Sequence, residues 1–341
     1  MSAPALTRRS VLVVGGAGYI GSHMVLALQD AGYQVVVLDN LSRGHADAIH
    51  GAPLVRADLN DPASLEACFQ AHPVDLVMHF AAFAYVGESV MSPSLYYQNN
   101  TVGTLNLLDA MRRHGVSRFV FSSTCATYGE PTRIPIGEDC PQAPINPYGR
   151  SKWMVEMALK DYAHAYKLQS ISLRYFNAAG CDPDGRAGER HDPETHLIPL
   201  VLQEALRTQR GGDPDASQLQ VFGDDFPTRD GSCVRDYIHV TDLCQAHLKA
   251  ADRLLAGAAT GAEFYNLANG SGFTVLEVIE ACRQVTGQPI GFKVMARRAG
   301  DPAALVGDAS LARHTLNWVP LHTALQDIVR TAWTWMIRSS A

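Results

Sequence analysis

Residues 15–23, Gly-Gly-Ala-Gly-Tyr-Ile-Gly-Ser-His, constrain the fold more than any other stretch of this chain. They follow Val11-Leu12-Val13-Val14, an apolar run too short for a helix and rich in β-branched residues, which reads as a buried strand. They precede Met24–Gly32, which reads as a helix closed by its glycine. Gly15, Gly18 and Gly21 therefore sit at a strand-to-helix turn. The first makes the tight turn, the second lets backbone approach a pyrophosphate, and the third lets helix pack on strand. The helix N-terminus offers free N–H groups and partial positive charge to phosphate. A glycine triplet alone is a weak signal, because such turns often only turn. Here the next strand, 34–38, ends at Asp39, about 20 residues on, where a carboxylate binds a ribose diol. That acid repels a 2′-phosphate, so NAD is expected rather than NADP.

Up to residue 180 short apolar strands (11–14, 34–38, 53–56, 74–79, 117–122 and 170–175) alternate with helical stretches, notably 94–114 and 147–168. The alternation predicts an α/β fold with a doubly wound parallel sheet of Rossmann type. Asp58-Leu59 and Phe80-Ala81-Ala82 follow the third and fourth strands, at the carboxyl ends where open sheets bind ligands. Small residues at 81 and 82 suit close passage of a cofactor. Beyond 180 the texture changes: 181–196 and 209–218 are rich in Gly, Pro, Asp and charge and read as loops. A second, smaller α/β domain is expected from there. Helices are predicted opening at Leu197 and over 241–255, 274–285 and 321–338, and strands over 219–222, 236–240 and 264–268.

The net charge of −6 argues against nucleic acid as a partner, since that needs a basic face. No apolar run approaches the ~20 residues of a membrane helix, and no signal-peptide core precedes the first strand. Seven dispersed cysteines without a C-x-x-C pair fit reduced thiols in a cytoplasm. Thirteen scattered histidines without H-E-x-x-H argue against a metal site, and none is expected.

The central chemical signal is Tyr148-Gly149-Arg150-Ser151-Lys152, after the helix-starting Asn146-Pro147. Tyr148 and Lys152 are i and i+4, on one helical face. A free tyrosine titrates near ~10, so a base at neutral pH needs about 4 kcal/mol of help. One ammonium about 4 Å away supplies a comparable amount at an effective dielectric of ~20. Alone, Y-x-x-x-K is a common accident; it gains weight from its place after the fifth strand. At the end of that strand, Ser122-Ser123-Thr124 offers a hydroxyl able to bridge a substrate hydroxyl and the phenol. The alternative is that these hydroxyls only satisfy backbone groups.

The ordered set G-G-A-G-Y-I-G-S-H, D-N, F-A-A, Y-Y-Q-N-N, S-S-T, Y-G-R-S-K and R-Y-F-N resembles the extended short-chain dehydrogenase/reductases, and among them the nucleotide-sugar 4-epimerases. The likeness continues through 222–240 and 296–301, spanning nearly the whole chain. It implies an NAD site of Gly15, Gly18, Tyr19, Ile20, Gly21, Asp39, Asn40, Asp58, Leu59, Phe80, Ala81, Ala82, Asn99, Tyr175 and Phe176, joined by Thr124, Tyr148 and Lys152. Those last three would be catalytic. Asn177, His196, Leu197, Phe222, Arg235, Arg298 and Asp301 would hold a UDP-sugar, with Thr124 and Tyr148 on its sugar. Two arginines suit a diphosphate, Asp301 suits ribose hydroxyls and Phe222 offers a wall to uracil. The family's interleaved domains imply 1–180 with 233–262 as the NAD-binding part, and 181–232 with 263–341 as the substrate part.

The implied activity is reversible inversion at C4 of UDP-glucose and UDP-galactose. Ala84 stands where many members carry a cofactor-contacting lysine, and His196 where they carry asparagine. Leu305, at the gate for N-acetylated sugars, is of intermediate size. A-Y-V-G-E-S at 84–89 is also similar to relatives acting on UDP-xylose and UDP-arabinose, so pentoses and N-acetylhexosamines stay open as substrates. A 4,6-dehydratase would place an Asp-Glu pair after Thr124, where this chain has Cys125 and Ala126. A noncatalytic NAD sensor would be expected to lose Tyr148 or Lys152. Family members often dimerise through helices equivalent to 94–114 and 147–168, so a homodimer is expected.

Overall fold

The computed structural model describes residues 9–298 and 301–340. Its strands are β1 (Ser10–Val14), β2 (Gln34–Asp39), β3 (Leu54–Arg56), β4 (Leu76–His79), β5 (Arg118–Thr124) and β6 (Gln169–Tyr175). There follow β7 (Asn177–Ala179), β8 (Gln220–Phe222), β9 (Val234–His239) and β10 (Ala262–Leu267). The last are β11 (Gly272–Thr274), β12 (Lys293–Met295) and β13 (Ala304–Leu305). Seven of them form one sheet in the order β10-β6-β5-β4-β1-β2-β3. The pairings that link β3, β2, β1, β4 and β5 are all parallel. This is the doubly wound order, in which the chain reverses direction of growth between β1 and β4.

The first compact unit comprises residues up to Ser123 with Arg150–Leu173 and His247–Phe264. Its strands are apolar at successive positions because both faces are covered. Leu12, Val14, Val36, Leu38, Phe119 and Phe121 share one core with Leu65 and Phe69 of helix Pro62–Ala71 and Leu107 and Met111 of helix Gly103–Arg113. Val11 and Val13, on the alternate positions, are as fully buried. The predicted helix 94–114 is present but not uniform: Pro93–Tyr96 leads through a π-helical turn, Tyr97–Val102, into Gly103–Arg113. Asn100, inside that turn, donates to Phe83 O at 2.9 Å and accepts from Phe83 N at 2.9 Å. A π turn is a usual mark of a functional site.

The second unit comprises Thr124–Gly149, Arg174–Ala246 and Tyr265–Ala341. Its small sheet is centred on β9, which pairs β11, β13 and β7, while β8 pairs β12. Helices Leu197–Gln209, Val275–Thr286 and Leu325–Ser339 pack Val201, Leu202, Val278, Cys282, Ile328 and Val329 into its core.

These boundaries differ from the expected 1–180 and 233–262. Residues 233–246 go with the second unit because 234–239 is its central strand. Residues 124–149 go with it because Tyr128 donates to Asn266 at 2.7 Å and Ile136 bridges Gly307. All seven cysteines are buried and unpaired. No helix among the described residues is long and apolar enough to cross a membrane.

Candidate active site

In the first unit the glycine turn lies where β1 and β4 diverge. Gly15 has φ +81°, and a Cβ there would stand 2.3 Å from Ala81 N and 2.9 Å from the Phe80 carbonyl carbon. A Cβ on Gly21 would stand 2.0 Å from Gly15 O. Both glycines are demanded by the fold's own backbone. Gly18 is different: its φ is −83°, and a Cβ would meet only Gly15 O, at 3.5 Å. Nothing within the unit requires glycine there, so the open approach serves whatever the helix end receives. That is the fit expected of a dinucleotide pyrophosphate.

Asp39 closes the same turn. Its carboxylate is buried, accepts from Ala17 N at 3.0 Å and Leu41 N at 2.8 Å, and titrates above the ordinary range because burial outweighs those two bonds. Asn40 donates to Asp58 at 2.8 Å, and Leu59 O accepts from Asn106. Asp58 titrates below its ordinary value, chiefly through the N–H of Asn60. Asn99, in the π turn, donates to Asn100 at 2.9 Å. Tyr19 and Ile20 open the helix behind the turn, and Phe80 packs its ring on His247 at 4.9 Å. Ala82 is half-buried after β4.

Lys152 is 3 % exposed, donates from Nζ to Ser122 O at 2.8 Å, and lies 4.8 Å over the Phe121 ring. Burial lowers its pKa to about 7, with Glu156 pulling the other way. Glu156 is itself buried and accepts from Ser123 at 2.6 Å. Ser123 belongs to the hydroxyl run that the sequence marks out, whereas nothing in the sequence singles out Glu156, because a mid-helix glutamate reads as ordinary surface.

In the second unit Thr124 is buried and caps the short turn Cys125–Tyr128, accepting from Ala126 N at 3.2 Å. Helix Pro147–Tyr166 begins against that turn: a Cβ on Gly149 would stand 2.5 Å from Ala126 O. Gly149 thereby lets Tyr148 reach Thr124, and the two side chains are hydrogen-bonded. Burial pushes the Tyr148 phenol up to about 12, and the Thr124 bond offsets only part of that. Cys125 is buried with its thiol raised to about 12 by burial, which leaves it inert as a nucleophile.

The residues assigned to the nucleotide divide into two groups. Arg235, Arg298, Asp301 and Phe222 come together: Asp301 lies 2.9 Å from Arg298 and 3.7 Å from Arg235, and the Arg298 guanidinium stands 4.8 Å over the Phe222 ring. Arg235 also donates to Val234 O and Pro302 O, and Leu305 pairs beside it. Asn177 donates to Asp236 O at 2.9 Å, on the same central strand as Arg235. His196, by contrast, turns to Glu194 at 3.0 Å, with Leu197 opening the helix after it. Tyr175 ends β6, and Phe176 is buried against Gly307.

Residues 11–268 match the model of the NAD dependent epimerase/dehydratase family. The chain belongs to that family. Within the NAD dependent epimerase/dehydratases it is 50 % identical over 326 residues to the UDP-glucose 4-epimerase of Halalkalibacterium halodurans, covering 96 % of this chain and 95 % of that one. The crystal structure of UDP-glucose 4-epimerase from Brucella ovis in complex with NAD is 47 % identical, with a TM-score of 0.90 over 96 % of this chain and 98 % of the other. The enzyme from Stenotrophomonas maltophila, solved with NAD and formylated UDP-arabinopyranose, is 39 % identical with a TM-score of 0.90, covering 98 % and 99 %. The α/β fold with its Rossmann sheet is thus the family's own.

Proposed function

We propose that this epimerase/dehydratase is an NAD-dependent 4-epimerase interconverting UDP-glucose and UDP-galactose. The observation that carries the reading is the Thr124–Tyr148 hydrogen bond followed in sequence by Cys125 and Ala126. That pair moves a proton at a sugar hydroxyl, and the next two side chains supply neither acid nor base for loss of water. The full-length likeness to UDP-glucose 4-epimerases supports the same choice.

Tyr148 takes the proton of the 4-hydroxyl with Thr124 bridging, and returns it after C4 has inverted. NAD, held by Gly15, Gly18, Asp39 and Lys152, supplies reversible hydride storage when bound. Bringing a phenol from about 12 to neutrality takes about 7 kcal/mol. One cation about 4 Å away gives about 4 kcal/mol at an effective dielectric of ~20. A protonated Lys152, one helical turn on from Tyr148, would supply part of that help. Arg235, Arg298 and Asp301 anchor the nucleotide, which leaves the 4-keto sugar free to turn and present its other face. The test is incubation with UDP-galactose, without added NAD, followed by proton NMR. UDP-glucose is the expected product; no conversion even with NAD supplied would overturn the reading.

A second reading, pentose epimerisation of UDP-arabinose and UDP-xylose, is favoured by the formylated UDP-arabinopyranose seen in the Stenotrophomonas enzyme. The same assay with UDP-xylose separates them. N-acetylhexosamines depend on Leu305, which is half-buried beside Arg235. We further propose a cytoplasmic homodimer. Leu95, Val102, Met154 and Met157 lie exposed on the segments 93–113 and 147–166, an apolar set suited to a second copy. Scattering should give about twice the 37.0 kDa chain mass.

A further inference from the structure

Apart from the group of Arg235, Arg298, Asp301 and Phe222, the second unit gathers Glu189, His191 and Glu194 with His196, one of the residues expected at the sugar, into one cluster. One donor atom from each lies within 4.8 Å of the other three. His196 Nδ1 stands 3.0 Å from Glu189 Oε1 and 3.0 Å from Glu194 Oε1. His191 Nδ1 stands 3.2 Å from Glu189 Oε1 and 3.6 Å from Glu194 Oε2. The two imidazoles face each other with centroids 4.7 Å apart.

Two features set this apart from a pair of surface ion pairs. The first is burial: the Glu189 and Glu194 side chains are only 6 % and 8 % exposed, and Glu189 Oε1 is sealed from water without a hydrogen bond of proper geometry. Two imidazoles at 3.0 and 3.2 Å already lie against that oxygen, and a cation held by all four groups would take over the pairing that a buried carboxylate needs. The second is size. A tetrahedral ion at about 2.0–2.2 Å from its ligands separates them by about 3.3–3.6 Å. Spacings of 3.0 and 3.2 Å to Glu189 Oε1 and 3.6 Å to Glu194 Oε2 lie near that cage, within a set of four donors that spans up to 4.8 Å.

We propose that Glu189, His191, Glu194 and His196 form a binding site for a zinc-class divalent cation that ties the 189–196 segment to the first turn of helix Leu197–Gln209. Two imidazole nitrogens with two carboxylate oxygens are a borderline donor set, which favours Zn²⁺ or Co²⁺ over Mg²⁺ or Ca²⁺. All four ligands come from eight consecutive residues. Their Glu-x-His-x-x-Glu-x-His spacing is not a helical or finger pattern, which is why sequence gave no warning. The loop turns that bring them together are visible only in the fold.

The test uses the purified full chain, stripped by chelator and titrated with Co²⁺ while the visible ligand-field bands are followed. One Co²⁺ per chain with tetrahedral-type absorption, displaced by one Zn²⁺, is expected. E189Q and H191A should each weaken binding by at least about 100-fold, the most that losing a residue hydrogen-bonded to a ligand, rather than a ligand itself, costs. Zn²⁺ should raise the melting temperature of the parent and not of E189Q. Absence of stoichiometric Co²⁺ uptake, or equal affinity in parent and E189Q, overturns the site. Where H191A folds poorly by circular dichroism, the near-isosteric E189Q decides alone.

Discussion

Lys152 Nζ donates to the carbonyl oxygen of Ser122 across 2.8 Å, so the ammonium of the central helix is plugged into the end of β5 two residues before Thr124. Burial holds its pKa at about 7, against an ordinary value of 10.5. Between those two values the unfolded chain carries a proton that the folded chain has lost. Stability from this group therefore rises with pH through that window, and below about pH 7 its full penalty is present. K152M should flatten the rise while abolishing turnover. Denaturation midpoints of both proteins from neutral to alkaline pH check this, and an unchanged slope would count against it.

Gly18 and Gly21 should separate binding from folding. G21A drives a Cβ into Gly15 O and should cost several kcal/mol, about what core overpacking costs, with soluble yield falling. G18A has room and an ordinary φ, so its melting temperature should stay near the parent's. Its NAD affinity, by calorimetry, should drop at least about tenfold, the equivalent of one lost hydrogen bond of about 1.4 kcal/mol.

Y148F should lose about 10²–10⁴ in kcat, the contribution of a positioned acid–base, and keep NAD affinity. T124V should lose less, because it removes a bridge and leaves the phenol. Rate and binding measured on the same preparations distinguish loss of chemistry from loss of fold.

The two arginines proposed to hold the nucleotide should behave differently. Arg298 is 60 % exposed and Arg235 14 %, so R298A should weaken UDP binding without shifting the melting temperature. R235A should do both, because it also abandons the carbonyls of Val234 and Pro302. Each should cost about 1.5–3 kcal/mol of affinity, the range of a hydrogen bond to charge.

Asp236, buried on β9, accepts from the N–H groups of Asn269, Gly270 and Gly307, and burial raises its pKa to about 6. D236N turns one acceptor into a donor facing those N–H groups and should destabilise by about 1–3 kcal/mol. Chemical denaturation at neutral pH measures it; a neutral result would mean the loop carrying Asn269 relaxes.

The dinucleotide half was legible because its rules are local: strand, three glycines, helix and an acid at the next strand end all fall within residues 11–39. The places of the first six strands along the chain followed from their apolar runs. What escaped depends on contacts between distant segments. The strands β7, β11, β12 and β13 have two or three residues each, too few to show a period, and exist through their partners. The π turn at 97–102 is invisible to a helical pattern that stays apolar on the right face. Tyr148 and Thr124 were found by motif, yet the high phenol pKa was not, because burial is a property of the folded chain. Gly149 carries no signal of its own in the sequence; its need for glycine comes from Ala126 O, a neighbour supplied by a distant segment.

The position of β10 at the edge of the large sheet, next to β6, sets an order of events during synthesis. Residues 10–175 supply six of the seven strands, but the outer backbone groups of β6 find their partner only when 262–267 has left the ribosome. Until then the nascent chain carries an open strand edge, a template for unwanted pairing with other chains. A fragment ending near residue 180 would keep that edge for good. A glycine turn lifted out in such a fragment would carry that unpaired edge with it, even though its own signature lies entirely at the start of the chain.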